Sequence, residues 1–406
     1  MGQVRAGGEQ FETIIEADHR GQILQSGPDS GAIDAFGRAR VSEPFTLFDS
    51  VLRYSKASDK WNETIVGSGT SVHLPNESSV AMTVTVSGDS VLRRTVKRFP
   101  YLPGKSLLIY QSFVGASLQE GLVQEVGYFS SSNGIILRAS GTTLQFVIRS
   151  FATGSVEETV VDQDEWNIDT APWLDFSKAN IFATDLEWLG VGRVRVGFVI
   201  DGEYRYCHEF LHANNISSVY MTTATLPLSY RIEAQATVSG ATMKQVCSSV
   251  MSEAGYDLSG PIYSIAPSID AIANTSGERI VAGIRMVSGR TDNIVIPAKL
   301  DLVTESSTTI EWKLRRNPTV SGFTWAASSN GRGNVEVTSS GSIISGGTVI
   351  DSGLFSSAGS LEVNTPAGLS LSLGVKPDGS SEELFLTVAS SGNAKATGML
   401  GWRELY

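Results

Sequence analysis

Apolar and polar residues alternate with a period of two over most of the chain beyond residue 70. In VAMTVTVSGDSVL, Met82, Val84 and Val86 fall on one face and Thr83 and Thr85 on the other, and Gly88-Asp89 supplies a turn. The period recurs in TLQFVIRSF, where Leu144, Phe146 and Ile148 point one way. It recurs in RVRVGFVIDGEYRY, where Val194, Val196, Phe198 and Ile200 alternate with Arg193, Arg195 and Gly197. Asp201-Gly202 is the strongest hairpin signal in the chain, because a two-residue turn needs positive φ. No segment of comparable length has a 3.6-residue period. The pattern predicts an all-β protein.

Residues 1–60 break the pattern, with scattered apolar positions and turn formers, and read as an extended arm or docking segment lying against its own domain or a neighbour. Residues 61–256 read as a β-sandwich, concanavalin-like or jelly-roll, since both give the same alternation. The turn-rich MSEAGYDLSGPIYSIAP marks a boundary. Residues 257–406 then form a second β-rich domain with RIVAGIRMVS, STTIEWKLRR, LSLSLGV and ELFLTVASSG as strands. The Ser/Gly-rich stretch 328–360 keeps apolar patches at Val335, Val337, Ile343, Ile344, Val349 and Ile350, and reads as short strands with loose loops.

Composition narrows the function. The chain has 406 residues, 41 glycines, 18% charged residues and a net charge of −11. That charge disfavours a nucleic-acid partner, which needs clustered cations. The densest basic run, Arg93–Arg98, reads as a solvated strand face or an interface patch. Cys207 and Cys247 read as free buried thiols. There is no signal-peptide pattern and no run of 18 apolar residues, so membrane insertion is not expected; the myristoylation pattern fails at Ala6.

His208-Glu209-Phe210-Leu211-His212 satisfies the zinc-protease pattern H-E-x-x-H, which works when a helix puts both imidazoles on one face. The preceding hairpin predicts a strand instead, and residues i and i+4 of a strand stand about 13 Å apart, too far for one ion. The other histidines are His19 and His73, and the acidic candidates for a third ligand are Glu233 and Glu253. Glu157-Glu158 and Asp162/Asp164/Glu165 lack the spacing of sandwich glycosidases, and DQDEWNID lacks the glycine of a calcium loop. No catalytic residue, metal or cofactor is assigned, and the chain is expected not to be an enzyme. Trp166, Trp173 and Trp188 are a candidate aromatic interface or glycan platform, with filling of the sandwich core as the plainer reading.

DAFGRARVSEPFTLFDS (34–50) resembles a group of virion-associated proteins of marine and freshwater tailed phages, with related segments in some large DNA viruses. The resemblance continues through Asp185–Ala234 and CSSVMSEAGY to Trp402-Arg403-Glu404, about a third of the chain, and leaves 315–395 unmatched. In that group the segment around 208 varies toward forms without the glutamate. The resemblance implies a virion structural protein, a tail, fibre or adhesion component assembled in the host cytoplasm, with capsid decoration as the alternative. A particle-displayed glycan-active or zinc-dependent hydrolase is the remaining reading. It implies a homo-oligomer, a trimer foremost, other virion proteins as partners, and host-surface glycan as a candidate ligand. Phe36, Arg38, Arg40, Phe45 and Phe48 are the candidate assembly residues of the arm.

Overall fold

A computed structural model describes residues 43–255 continuously, and 260–405 apart from 266–270, 274–276, 305–307, 330–332, 356–358, 364–370 and 393. Within 1–42 it describes four short strands, β1 (Val4–Ala6), β2 (Glu9–Phe11), β3 (Ile15–Ala17) and β4 (Ile23–Gln25), paired as two hairpins. Phe36, Arg38 and Arg40 lie outside the described residues.

The expected all-β sandwich is present. One sheet runs β17 (Glu203–Phe210), β16 (Val194–Ile200), β15 (Ala179–Leu186), β10 (Leu107–Val114), β19 (Ala241–Ser252), β8 (Ser79–Val84) and β7 (Thr70–Leu74). On β19, β8 pairs with the first half and β5 (Phe45–Val51) with the second, while β10 covers the opposite edge. The second sheet runs β14 (Glu157–Asp162), β13 (Thr143–Ser150), β12 (Gly134–Ser140), β11 (Leu122–Phe129), β18 (Leu228–Ala234), β9 (Ser90–Thr95) and β6 (Trp61–Val66), all antiparallel. The arm therefore ends earlier than its composition suggested. Phe45–Val51 is ladder-paired within the chain's own sheet and Phe48 is buried, although Phe45 stays exposed.

Alternation predicts the inward set well. Met82, Val84, Phe146, Val194, Val196 and Phe198 are all buried between the sheets. Val86 is the exception: β8 stops at Val84, and Val86 sits exposed in the turn closed by Asp89. Asp201 and Gly202 both have positive φ, 54° and 80°, as the hairpin requires.

The interior also holds a polar seam that alternation did not reveal. Arg93 has no exposed surface. Its Nε donates to Gln245 Oε1 across the sandwich at 2.6 Å, one terminal nitrogen donates to Lys56 O at 2.7 Å, and the other pairs with Glu63. The guanidinium also lies over the Trp61 ring. The run 93–98 is thus not a solvated face. A buried guanidinium is tolerable only when each of its nitrogens is paired, and the facing strands supply those partners.

The C-terminal part packs two further sheets around its own core, which includes Trp312, Leu384, Leu386 and Trp402. One runs β20 (Ile262–Ile265), β32 (Ala394–Leu405), β23 (Ile294–Thr304), β30 (Gly359–Val363), with β21 (Ala271–Ala273) beside β32. The other runs β25 (Thr319–Ser321), β28 (Ser342–Ser345), β22 (Arg279–Met286), β31 (Glu383–Ser390), β24 (Ile310–Arg316), β29 (Thr348–Phe355), with β26 (Ala326–Ala327) and β27 (Val335–Thr338) joined to β22. The Ser/Gly-rich stretch does form short strands. Leu371–Val375 does not: it is a loop whose alternation comes from burying Leu373 and Val375. Trp402 and Glu404 of the terminal motif are buried together, indole Nε1 donating to the carboxylate at 3.0 Å.

That loop joins the two halves. Val375 N donates to Val96 O at 2.9 Å, and Asn62 Nδ2 donates to Val375 O at 2.6 Å. Lys97 lies at the same seam. Burial first, and then repulsion by Arg316, bring its pKa down to about 8, against attraction by Glu382. An unfolded lysine titrates at about 10.4, so between these values the unfolded chain binds the extra proton and stability rises with pH. The chain should gain about 1 kcal/mol from pH 7.5 to 9.5, after discounting for partial exposure. Urea midpoints should show Lys97→Met losing this gain; an unchanged pH slope would refute the assignment.

Candidate functional site

The outward face of the first sheet gathers three tyrosines contributed by strands far apart in sequence. Ladder register puts Tyr110, Ala183, Gly197 and Tyr206 in one row across β10, β15, β16 and β17. The two central positions carry almost no side chain, so the row is a floor with an aromatic ring at each end. Gly197 cannot be enlarged, since a Cβ there would meet the Arg205 carbonyl oxygen at 2.1 Å. Tyr204, one pleat along, faces the same way: its ring centroid lies 5.8 Å from Tyr110 and 5.7 Å from Tyr206.

Charge lies alongside the rings. Asp185 and Arg195 occupy the next row and form an ion pair. Tyr206 donates its hydroxyl proton to Asp185 Oδ2 at 3.1 Å, and the Arg195 guanidinium sits 4.4 Å from the centre of the Tyr206 ring. Burial and then the Asp185 charge push Tyr206 up to about 12; burial, then Glu253 and Asp185, also raise Tyr110. Both hydroxyls are therefore neutral near pH 7. Glu253 accepts from Ser106 at 2.9 Å close by. The result is an aromatic cluster, exposed at Tyr204 and half-buried at Tyr110 and Tyr206, with neutral hydroxyls, a cation and two carboxylates beside it, which suits a polyol that stacks its apolar face and hydrogen-bonds its rim.

The tryptophans named from the sequence lie elsewhere. Trp166 is buried and stacks on Phe146 at 4.1 Å, so its faces are committed to the core. Trp173 meets Phe198 edge-on and donates to Asp169, and Trp188 donates to Met221 O and packs against Tyr101. They form no common platform. Tyr204 and Tyr206 follow that cluster in the sequence, whereas Tyr110 and Asp185 come beside them only through register.

HEFLH is the end of a strand, with β17 closing at Phe210. His208 Nδ1 accepts from Asn167 N at 3.2 Å, while the His212 ring bonds Gly192 O at 2.7 Å through its Nδ1 and stacks on Tyr220 at 4.0 Å. Burial lowers both pKa values. Among the described residues no three His, Cys, Asp or Glu groups are placed to share a metal ion. Glu158 is tied to Arg138 and Arg149, and Asp162 accepts from Gln145. Cys207 and Cys247 are unbridged; Cys207 is buried, with burial pushing it up to about 12, and Cys247 is half-buried. Among the described residues no helix is long and apolar enough to cross a membrane.

No family model matches the chain, and no curated protein does. Several solved structures are similar to it. A glycosyl hydrolase family protein from Mycobacterium fortuitum is 10% identical over 51% of this chain and 99% of its own, with a TM-score of 0.38. Apo Crh5 transglycosylase is 16% identical over 53% and 90%, at 0.33. The CBM2 module of the evolved Dit of Lactobacillus casei BL23 phage J-1 is 9% identical over 53% and 100%, at 0.35. The expectation that the chain is not an enzyme is withdrawn, since a glycosyl hydrolase and a transglycosylase stand among the similar structures; the likeness is one of fold and assigns the chain no reaction. The expectation rested on spacing along single strands, and a sandwich assembles its side chains across strands, where spacing is blind.

If the two histidines serve packing, His212→Ala should cost about 1–2 kcal/mol in urea unfolding through the lost hydrogen bond and stack. Zinc bound after dialysis should be substoichiometric in wild type and variant alike. One equivalent of zinc lost in the variant would overturn the packing role.

Proposed function

We propose that the chain is a virion structural protein, a tail, fibre or adhesion component, that meets host-surface glycan through the tyrosine face of its first sandwich. One observation carries the glycan reading: Tyr110, Tyr204 and Tyr206 share one open face beside Asp185 and Arg195. An exposed aromatic surface with neutral hydroxyls costs solvation unless something covers it, and sugar rings do so while keeping polar edges wet. The virion reading is supported by the phage-like segments at 34–50, 185–234 and 402–404. Self-association, as a trimer foremost, falls to the arm that precedes β5, with other virion proteins as partners.

A printed oligosaccharide array, with reducing ends assayed in the same wells, tests the glycan reading. At least one class of sugar should be retained, and Tyr204→Ala and Tyr206→Ala should each weaken retention about five- to tenfold, the worth of one aromatic contact. New reducing ends would add glycan cleavage to the same face. Retention by no sugar, or retention unchanged in both variants, would refute it. The assembly reading stands separately: deleting residues 1–42 should lower the mass in solution to that of a single chain, and an unaltered mass would refute it.

A further inference from the structure

The outward face of the second sheet is a ladder of opposite charges with one member left over. Glu125 on β11 is almost fully buried, yet accepts from Arg138 at 2.8 Å, from Arg231 at 3.1 Å and from Arg149 at 3.5 Å. Glu158 on β14 takes two bonds of 2.8 Å from Arg138 and one of 2.9 Å from Arg149. Those bonds, the Arg138 one foremost, hold Glu158 ionised, with its pKa brought down to about 2. Arg231 is further tied to Glu233, and Arg149 donates to Ser130 O at 3.0 Å. Each of these three guanidiniums has a carboxylate opposite it.

Arg94 does not. It projects outward from β9 beside Ser229, its ladder partner on β18, and lines a groove of about 410 Å³ together with Leu92, Arg149, Arg231, Val156 and the carboxylates Glu125 and Glu158, both already held by the other arginines. Among the described residues its side chain has neither a hydrogen-bond acceptor nor an ion-pair partner. Its neighbour Arg98 has a buried Nε that is likewise unpartnered, and the two guanidiniums are close enough to repel. Burial has already stripped part of the water from Arg94. Asp292 attracts Arg98, and no carboxylate among the described residues is paired with Arg94, so a partly desolvated cation at the wall of this groove is short of one anion.

We propose that this groove binds the anionic group of a sugar-sized ligand, with Arg94 receiving it. A uronic-acid carboxylate and a free phosphate offer a guanidinium the same pair of oxygens. The apolar walls at Leu92 and Val156 favour the sugar, since phosphate has no face to lay against them. The site lies on the opposite sheet from the tyrosines, so either reading survives the failure of the other.

Calorimetric titration of the full chain at low salt, with oligogalacturonate, a maltooligosaccharide of equal length and inorganic phosphate, separates the cases. Oligogalacturonate should bind, more weakly as salt rises, and Arg94→Gln should weaken it about tenfold, the worth of one charge-assisted pair. Val156→Glu should weaken it comparably; Val156 is exposed, so this variant keeps the fold. Phosphate binding as tightly as oligogalacturonate, and equally sensitive to Arg94→Gln, supports the anion site and assigns it to free phosphate. No binding of either anion, or binding indifferent to both substitutions, overturns the proposal.

Discussion

Arg93 is a cation sealed between two sheets. An unpaired guanidinium there costs several kcal/mol, and its three partners come from Gln245 on β19, Glu63 on β6 and the Lys56 carbonyl. Those partners meet only if β9 pairs β6 in the observed register while β19 lies opposite both. A one-residue slip would send Arg93 out and Arg94 in, because neighbours on a strand face opposite ways. The same requirement fixes the outer surface: once Val91, Arg93 and Thr95 point inward, Leu92 and Arg94 must point out.

The two outer faces follow from their sheets in different ways. On the first, the small buried residues Ala183 and Gly197 separate Tyr110 from Tyr206 in one row. Asp185 is buried and Arg195 partly exposed, and the pair holds Tyr206 in place through a hydrogen bond on one side and a cation over the ring on the other. On the second sheet, arginine and glutamate alternate across strands, and the face is nearly neutral except at Arg94. A protein with net charge −11 thus keeps a local positive spot.

Much of the fold is legible in single strands. The alternation in RVRVGFVIDG, the turn at Asp201-Gly202 and the strand character of HEFLH all rest on interactions within a few residues, and each reads correctly. The sites are not legible this way. Tyr110 and Tyr206 are 96 positions apart in sequence and meet through three ladders. Arg93 looks like one residue of a basic run, since nothing nearby in sequence announces Gln245. Phe45–Val51 looks like part of an arm because its ladder partner, β19, lies two hundred residues away. Trp166 follows the plainer of its two readings, since Phe146 holds it in the interior.

The ends of the second sheet have a consequence for how copies come together. At β6 the C-terminal half closes over the edge through Val375. At β14, the other end, the exposed strand carries Glu157 and Glu158, so an incoming backbone would lie against carboxylates. Each end of this sheet thus has a stopper, one made of protein and one of charge, and strand-by-strand templating of the kind that seeds fibrils is blocked at both. At this sheet, contact between copies of the chain is thereby steered from the strand edges to the faces, and a contact between faces closes after a fixed number of copies where an open edge would allow endless addition.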